Sequence, residues 1–205
     1  MEDAATADRA VAVALGELGR LDCIVNAVGG TRHRGPWEEL DQVQLAETIG
    51  LNTWPALNLV QAALRRGFGH DGGSVVNVSS GSPRKTTPTL AAYSAGKSAL
   101  EAMTRTLASD LAARRVRVNA VAPGLTRTLS TRRAWEHDGG ASAGSRLPLG
   151  RITEPADVAL AVAFLLSDDA AQITGVVLEV DGGNHLFGGG WTPYTTTPSN
   201  PGPGA

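Results

Sequence analysis

Ser74-Val75-Val76-Asn77-Val78-Ser79-Ser80, then a helical stretch, then Val116-Arg117-Val118-Asn119-Ala120-Val121-Ala122-Pro123-Gly124: this block decides the fold. The first run is apolar at its centre, follows the turn His70-Asp71-Gly72-Gly73, and gives way to a Ser-, Pro- and Thr-rich loop from Gly81 to Pro88. The second run ends at Pro123-Gly124. Between them, residues 91–114 put Ala95, Leu100, Met103, Leu107 and Leu111 on one helical stripe. Strand, helix, strand, with both strands apolar throughout, predicts a parallel pair covered on both faces.

The pattern extends in both directions. Residues 3–19 read as a helix stopped by Gly19, and Leu21 to Ala27 as a buried strand ending in Gly29-Gly30. A long helical pattern runs from about Leu40 to Arg66. Pro55 inside it predicts a kink or broken turn. Residues 125–150 have a weak apolar period and read as a mobile loop with one short helix. Glu154-Pro155 opens a helix to Leu166, with proline in the first turn where helices tolerate it. Gly175 to Val180 is the last strand, closed by Asp181-Gly182-Gly183. The fold class is therefore α/β, three layers (α/β/α) around a parallel sheet. Residues 1–187 form the domain, and the Gly-, Pro- and Thr-rich tail 188–205 is expected to be disordered.

Composition narrows the function. The chain has 205 residues, 42% of them hydrophobic, and a net charge of −2. That gives no basic footprint for nucleic acid or an anionic membrane. One cysteine, Cys23, excludes an internal disulfide framework. The acidic, polar start is not a signal peptide, and no apolar run is long enough to cross a bilayer, so a cytoplasmic location is expected. The four histidines (His33, His70, His137, His185) lack metal-ligand spacing, so no metal site is expected.

Tyr93 and Lys97 stand four apart on the third predicted helix and so share a face. A phenol with its ordinary pKa near ~10 is a poor acid–base at neutral pH. A neighbouring ammonium favours the phenolate, as proton exchange with an alcohol or ketone requires. The alternative is a surface Tyr–Lys pair, made improbable by scarcity: the chain holds two tyrosines and, besides Lys97, only Lys85. Ser79 and Ser80 lie at a strand's carboxyl end, where open parallel sheets bind ligands; a serine satisfying its own turn is the plainer reading of either alone. Asn26 and Asn119 lie at strands. Asn52 lies in a helix interior, which disfavours asparagine unless it makes a specific contact. Gly29-Gly30 and Pro123-Gly124 are sharp turns after strands, suited to close ligand approach or to ordinary loop geometry.

Taken in order, Asn26-Ala27-Val28-Gly29, Asn52, Asn77-Val78-Ser79-Ser80, Tyr93-x-x-x-Lys97, Asn119-Ala120-Val121-Ala122-Pro123-Gly124 and Ile173-Thr174-Gly175 to Asp181-Gly182-Gly183 resemble the short-chain dehydrogenase/reductases. The similarity covers residues 1–187 and is nearest the single-domain 3-oxoacyl-carrier-protein-reductase branch. It implies a Rossmann-like fold and hydride transfer between NAD or NADP and an alcohol/ketone pair. Tyr93 would be the general acid/base and Lys97 would lower its pKa and hold the nicotinamide ribose. Ser80 would orient the substrate carbonyl and Asn52 would hold a water. Asn26, Ala27 and Gly29 would form the cofactor-side turn, with Ala27 and Val28 departing from the family's Asn-Ala. Pro123, Gly124, Thr126 and Thr128 would border the nicotinamide or a phosphate.

The resemblance also implies a homodimer or homotetramer through the helices at 40–66 and 91–114. No Gly-rich phosphate-binding turn follows an N-terminal strand, so the strands present correspond to the fourth to seventh of the usual seven. The strand near residues 22–28 then becomes an exposed apolar edge. The competing expectation is a non-catalytic truncated form that binds NAD(P)H weakly or not at all and acts by docking to a partner.

Overall fold

The computed structural model describes residues 3–187. The expected disordered tail, 188–205, lies outside the described residues. Four strands, β1 (Cys23–Asn26), β2 (Gly73–Val78), β3 (Val116–Pro123) and β4 (Val177–Val180), form one sheet in that order. All three pairings are parallel, with Asn26 opposite Asn77 and Asn77 opposite Ala120. The α/β class and the Rossmann-like layering are those the sequence predicts.

Helix α1 (Ala4–Leu18) is capped at its start by the Asp3 carboxylate, which accepts from Ala5 N and Thr6 N. It ends on Gly19 at φ 74, where the left-handed turn lets the Gly19 N–H return to Leu15 O. Helix α2 (Gln42–Arg65) starts with a reciprocal capping box between Asp41 and Gln44. It runs unbroken through the buried Pro55, so the expected broken turn is absent. Packing against α1 and α3 (Ala91–Leu111) holds the helix across the missing donor. Residues 125–150 hold two short helical segments rather than one, a 3-10 stretch at Leu129–Ala134 and a turn α4 (Ala141–Gly144). The Arg127 guanidinium organises them: it pairs with Glu154 at 2.8 Å, donates to Gly139 O at 2.6 Å and lies 5.1 Å from the Trp135 ring centre. Helix α5 (Pro155–Leu166) and the last turn α6 (Asn184–Phe187) complete the described chain.

The two faces of the sheet are covered unequally. On one, Ala7 and Val11 of α1, Val60 and Ala63 of α2, and Ala108 and Leu111 of α3 bury Ile24, Val75, Val116 and Val118. On the other, α5 lays Leu165 and Val162 over Val76 and Val121. That helix packs chiefly on β2, β3 and β4. The sequence reads β1 as fully buried; the structure corrects this to a half-buried strand. Ile24 and Asn26 point into the first core, while Cys23 is exposed and Val25 is 41% exposed. The edge-strand expectation holds among the described residues, where β1 pairs with β2 alone.

Candidate active site

The carboxyl ends of β1 and β2 and the first turns of α3 converge on one spot. Lys97 is 4% exposed and its Nζ donates to Val78 O at 2.7 Å, 5.9 Å from the Tyr93 ring centre. Asn52 of α2, also buried, accepts from Gly30 N at 3.1 Å and donates to Gly30 O and to Thr48 O, each at 2.8 Å. The mid-helix asparagine thus fastens the turn after β1 to α2. Glycines let these parts meet. A Cβ on Gly29 would lie 2.6 Å from Asn52 Oδ1 and 2.8 Å from Lys97 Nζ. A Cβ on Gly96 would lie 3.1 Å from Asn52 Cβ and 3.3 Å from Ile49 Cα, so α3 rests directly on α2 here.

The two serines part company. Ser79 is buried and its Oγ donates to Glu101 Oε1 at 2.6 Å, away from the site. Ser80 is half-buried, its Oγ accepts from Ser82 N at 3.2 Å, and its hydroxyl is near enough to the Tyr93 phenol to pull the phenol's pKa down. Burial raises the Tyr93 pKa; the Ser80 hydroxyl and the Arg34 charge oppose it. This departs from the sequence expectation that Lys97 would make the phenol more acidic. The ammonium is turned to the Val78 carbonyl, and desolvation outweighs the opposing contributions. Burial lowers the Lys97 pKa to about 8, with Glu101 pulling the other way.

Glu101 carries no role in the sequence reading, although its place four residues after Lys97 on the same helix was a legible signal. Arg84 binds both Glu101 oxygens, at 3.1 and 2.9 Å, and reaches Glu179 of β4 at 2.6 Å. This clamp ties the Ser80-bearing loop to α3 and β4. Beneath it, Asn26 Nδ2 donates to Asn77 Oδ1 at 2.8 Å and Asn77 Nδ2 to Thr104 Oγ1 at 2.9 Å. The side chain of Asn26 is therefore committed to the interior. Asn119 likewise serves the sheet, donating to Ile173 O and accepting from Val176 N.

Ala27 and Gly29 are exposed at the end of β1. Pro123 ends β3, and Gly124 is pressed onto β4's exit loop, where a Cβ would meet Asp181 Cβ at 2.8 Å. Thr126 Oγ1 donates to Gly124 O at 3.1 Å, and Thr128 opens the 3-10 segment with Thr131 as its capping partner. Glu179, Asp181 and His185 bring their ligand atoms within 4.8 Å of one another, but internal partners engage all three. Asp181 accepts from Gly183 N, His185 N and the His185 ring, and Glu179 pairs with Arg84. Among the described residues no helix is long and apolar enough to cross a membrane.

Residues 1–185 match the family model described as Enoyl-(Acyl carrier protein) reductase. The chain is 38% identical over 176 residues to the 3-oxoacyl-acyl-carrier-protein reductase FabG of Thermotoga maritima, covering 82% of this chain and 67% of the relative. It is 34% identical over 181 residues to the 2,3-dihydro-2,3-dihydroxybenzoate dehydrogenase of Escherichia coli, covering 84% and 73%. A crystal structure of NAD+-bound xylitol dehydrogenase superposes with a TM-score of 0.80 at 27% identity, over 89% of this chain and 76% of that one. The chain belongs to the short-chain dehydrogenase/reductase family of NAD(P)-dependent oxidoreductases.

Proposed function

We propose that this chain interconverts an alcohol and a ketone, with Tyr93 as the group that exchanges the proton at the substrate oxygen. The observation that carries the reading is the convergence of Ser80, Tyr93 and Lys97 at one end of α3, beside the bare face of Gly29. In the reducing direction the Tyr93 hydroxyl donates its proton to the carbonyl oxygen; in the oxidising direction the phenolate takes it from the hydroxyl. The Ser80 hydroxyl donates to the same oxygen and fixes its position. The relatives' names, an oxoacyl reductase and a dihydrodiol dehydrogenase, describe reactions of this kind.

The residues present fit the nicotinamide end of an NAD or NADP molecule. Gly29 offers a surface that any side chain would fill, directly against Lys97 Nζ. When bound, the dinucleotide supplies or accepts the hydride. Lys97 would hold the ribose hydroxyls, with Ala27 and Asn26 lining the turn through their backbone, while Pro123, Gly124, Thr126 and Thr128 would border the carboxamide and phosphate. Two copies would associate through α2 and α3, where Val43 is 66% and Trp54 52% exposed.

The test uses NADH and NADPH deuterated at the transferable position, with a panel of cyclic and linear ketones. Deuterium in a product alcohol supports the reading. No label transfer to any carbonyl from either nucleotide contradicts it.

A further inference from the structure

Tyr93, Lys97 and Glu101 stand at four-residue steps on α3 and share one face. The last two grip consecutive residues of the chain leaving β2. Lys97 Nζ donates to Val78 O at 2.7 Å, and Glu101 Oε1 accepts from Ser79 Oγ at 2.6 Å. The Ser79 N–H donates to Val121 O at 2.8 Å and the Gly81 N–H to Pro123 O at 3.1 Å, so the backbone on either side of Ser80 is tied to β3. Ser79 is buried and Ser80 half-buried, as adjacent side chains on an extended chain are when they point opposite ways. Whatever holds the Ser79 hydroxyl inward therefore turns the Ser80 hydroxyl outward. Ser80 Oγ accepts from Ser82 N, which leaves its own proton free to donate.

Glu101 is a buried titratable group that the proton transfer does not use. Arg84 donates to both of its oxygens, at 3.1 and 2.9 Å, in addition to Ser79. Its donors thus come from both sides of Ser80 in the chain. An apolar side chain here would hold α3 on the sheet without the cost of burying a charge. What the carboxylate adds is direction: it fixes the Ser79 and Arg84 ends of one turn to the helix that carries Tyr93.

We propose that Glu101 is a positioning residue, which registers the turn from Ser79 to Arg84 on α3 and so sets the Ser80 hydroxyl against the Tyr93 phenol. The consequence for a substrate oxygen rests on the oxidoreductase reading; the positioning itself does not.

The chain has two tyrosines, Tyr93 and Tyr194, so ring-labelled tyrosine gives two NMR signals, and the one lost in Tyr93→Phe belongs to Tyr93. At neutral pH, Ser80→Ala is expected to shift the Tyr93 ζ-carbon resonance. Ser79→Ala and Glu101→Leu shift it in the same direction, and neither adds to the shift already present in Ser80→Ala. Ser79→Ala leaves in place the Glu101 charge that Lys97 feels, so it separates position from charge, and it carries the test if Glu101→Leu does not fold. Glu101→Gln, which keeps an acceptor oxygen for Ser79, shifts the signal less than Glu101→Leu. In ketone reduction Ser79→Ala lowers kcat about tenfold and leaves KM within about twofold. An unmoved Tyr93 resonance in Ser80→Ala or Ser79→Ala, shifts that add in the Ser80→Ala background, or a Ser79→Ala effect confined to KM overturns the proposal. The oxidoreductase reading fails separately: a chain that shows the expected shifts but transfers no hydride loses that reading and keeps the positioning by Glu101.

Discussion

The two faces of the sheet differ in what they hold. The face under α1, α2 and α3 has a continuous apolar core, and the same helices carry Asn52, Tyr93, Lys97 and Glu101 to its carboxyl end. The opposite face has α5 over β2 to β4 and leaves Val25 and Val28 each 41% exposed. The acid–base group is therefore assembled by packing of α2 on α3, with the turn after β1 fastened to it through Asn52.

The largest expected contrast is in stability. Leu100→Ala, at a fully buried α3 position, should cost about 2–5 kcal/mol. Val25→Ser, on the open face of β1, should stay within about 0.5 kcal/mol. Denaturant midpoints of the two variants measure the difference, and similar losses would erase the contrast.

Lys97 makes the next contrast. Its folded pKa of about 8 lies below the ordinary 10.5, so between those values the unfolded chain binds more protons than the folded one. Stability should then rise with pH across that window, by about 3 kcal/mol at most. Below pH 8 both states are protonated and the cost of burying the charge is fully present. Lys97→Met should flatten the rise in urea midpoints between pH 8 and 10.5; a wild-type profile already flat there would break the assignment.

A smaller effect is expected where α2 meets α3. Gly96→Val adds atoms within about 3 Å of Asn52 and Ile49 and should cost about 1–3 kcal/mol. It should lower turnover by more than the folded fraction accounts for, because Asn52 and Lys97 move with the helices. Loss of turnover matching the folded fraction would dissociate packing from geometry.

Much of this was legible in the sequence, for physical reasons that differ by region. Strand–helix alternation shows itself through apolar periodicity, and Tyr93 and Lys97 stood out by their rarity and spacing. Asn52 announced itself by sitting where helices disfavour asparagine, and it proved to bind Gly30. The half-burial of β1 was not readable from Leu21 to Ala27, because an apolar run looks the same whether one face or two are covered. Arg84 lies in a loop with no period to place it, so only folding shows that it meets two carboxylates. Spacing alone does not give the acidity of Tyr93. Four residues along a helix bring Lys97 close, but the direction of its ammonium and the burial of the phenol decide the sign.

The most direct test of the account compares Tyr93→Phe with the wild-type chain in ketone reduction, alongside their unfolding midpoints. Proton donation by the Tyr93 hydroxyl predicts a rate at least about 100-fold lower with stability nearly unchanged. A Phe variant that keeps the wild-type rate within about twofold would contradict it.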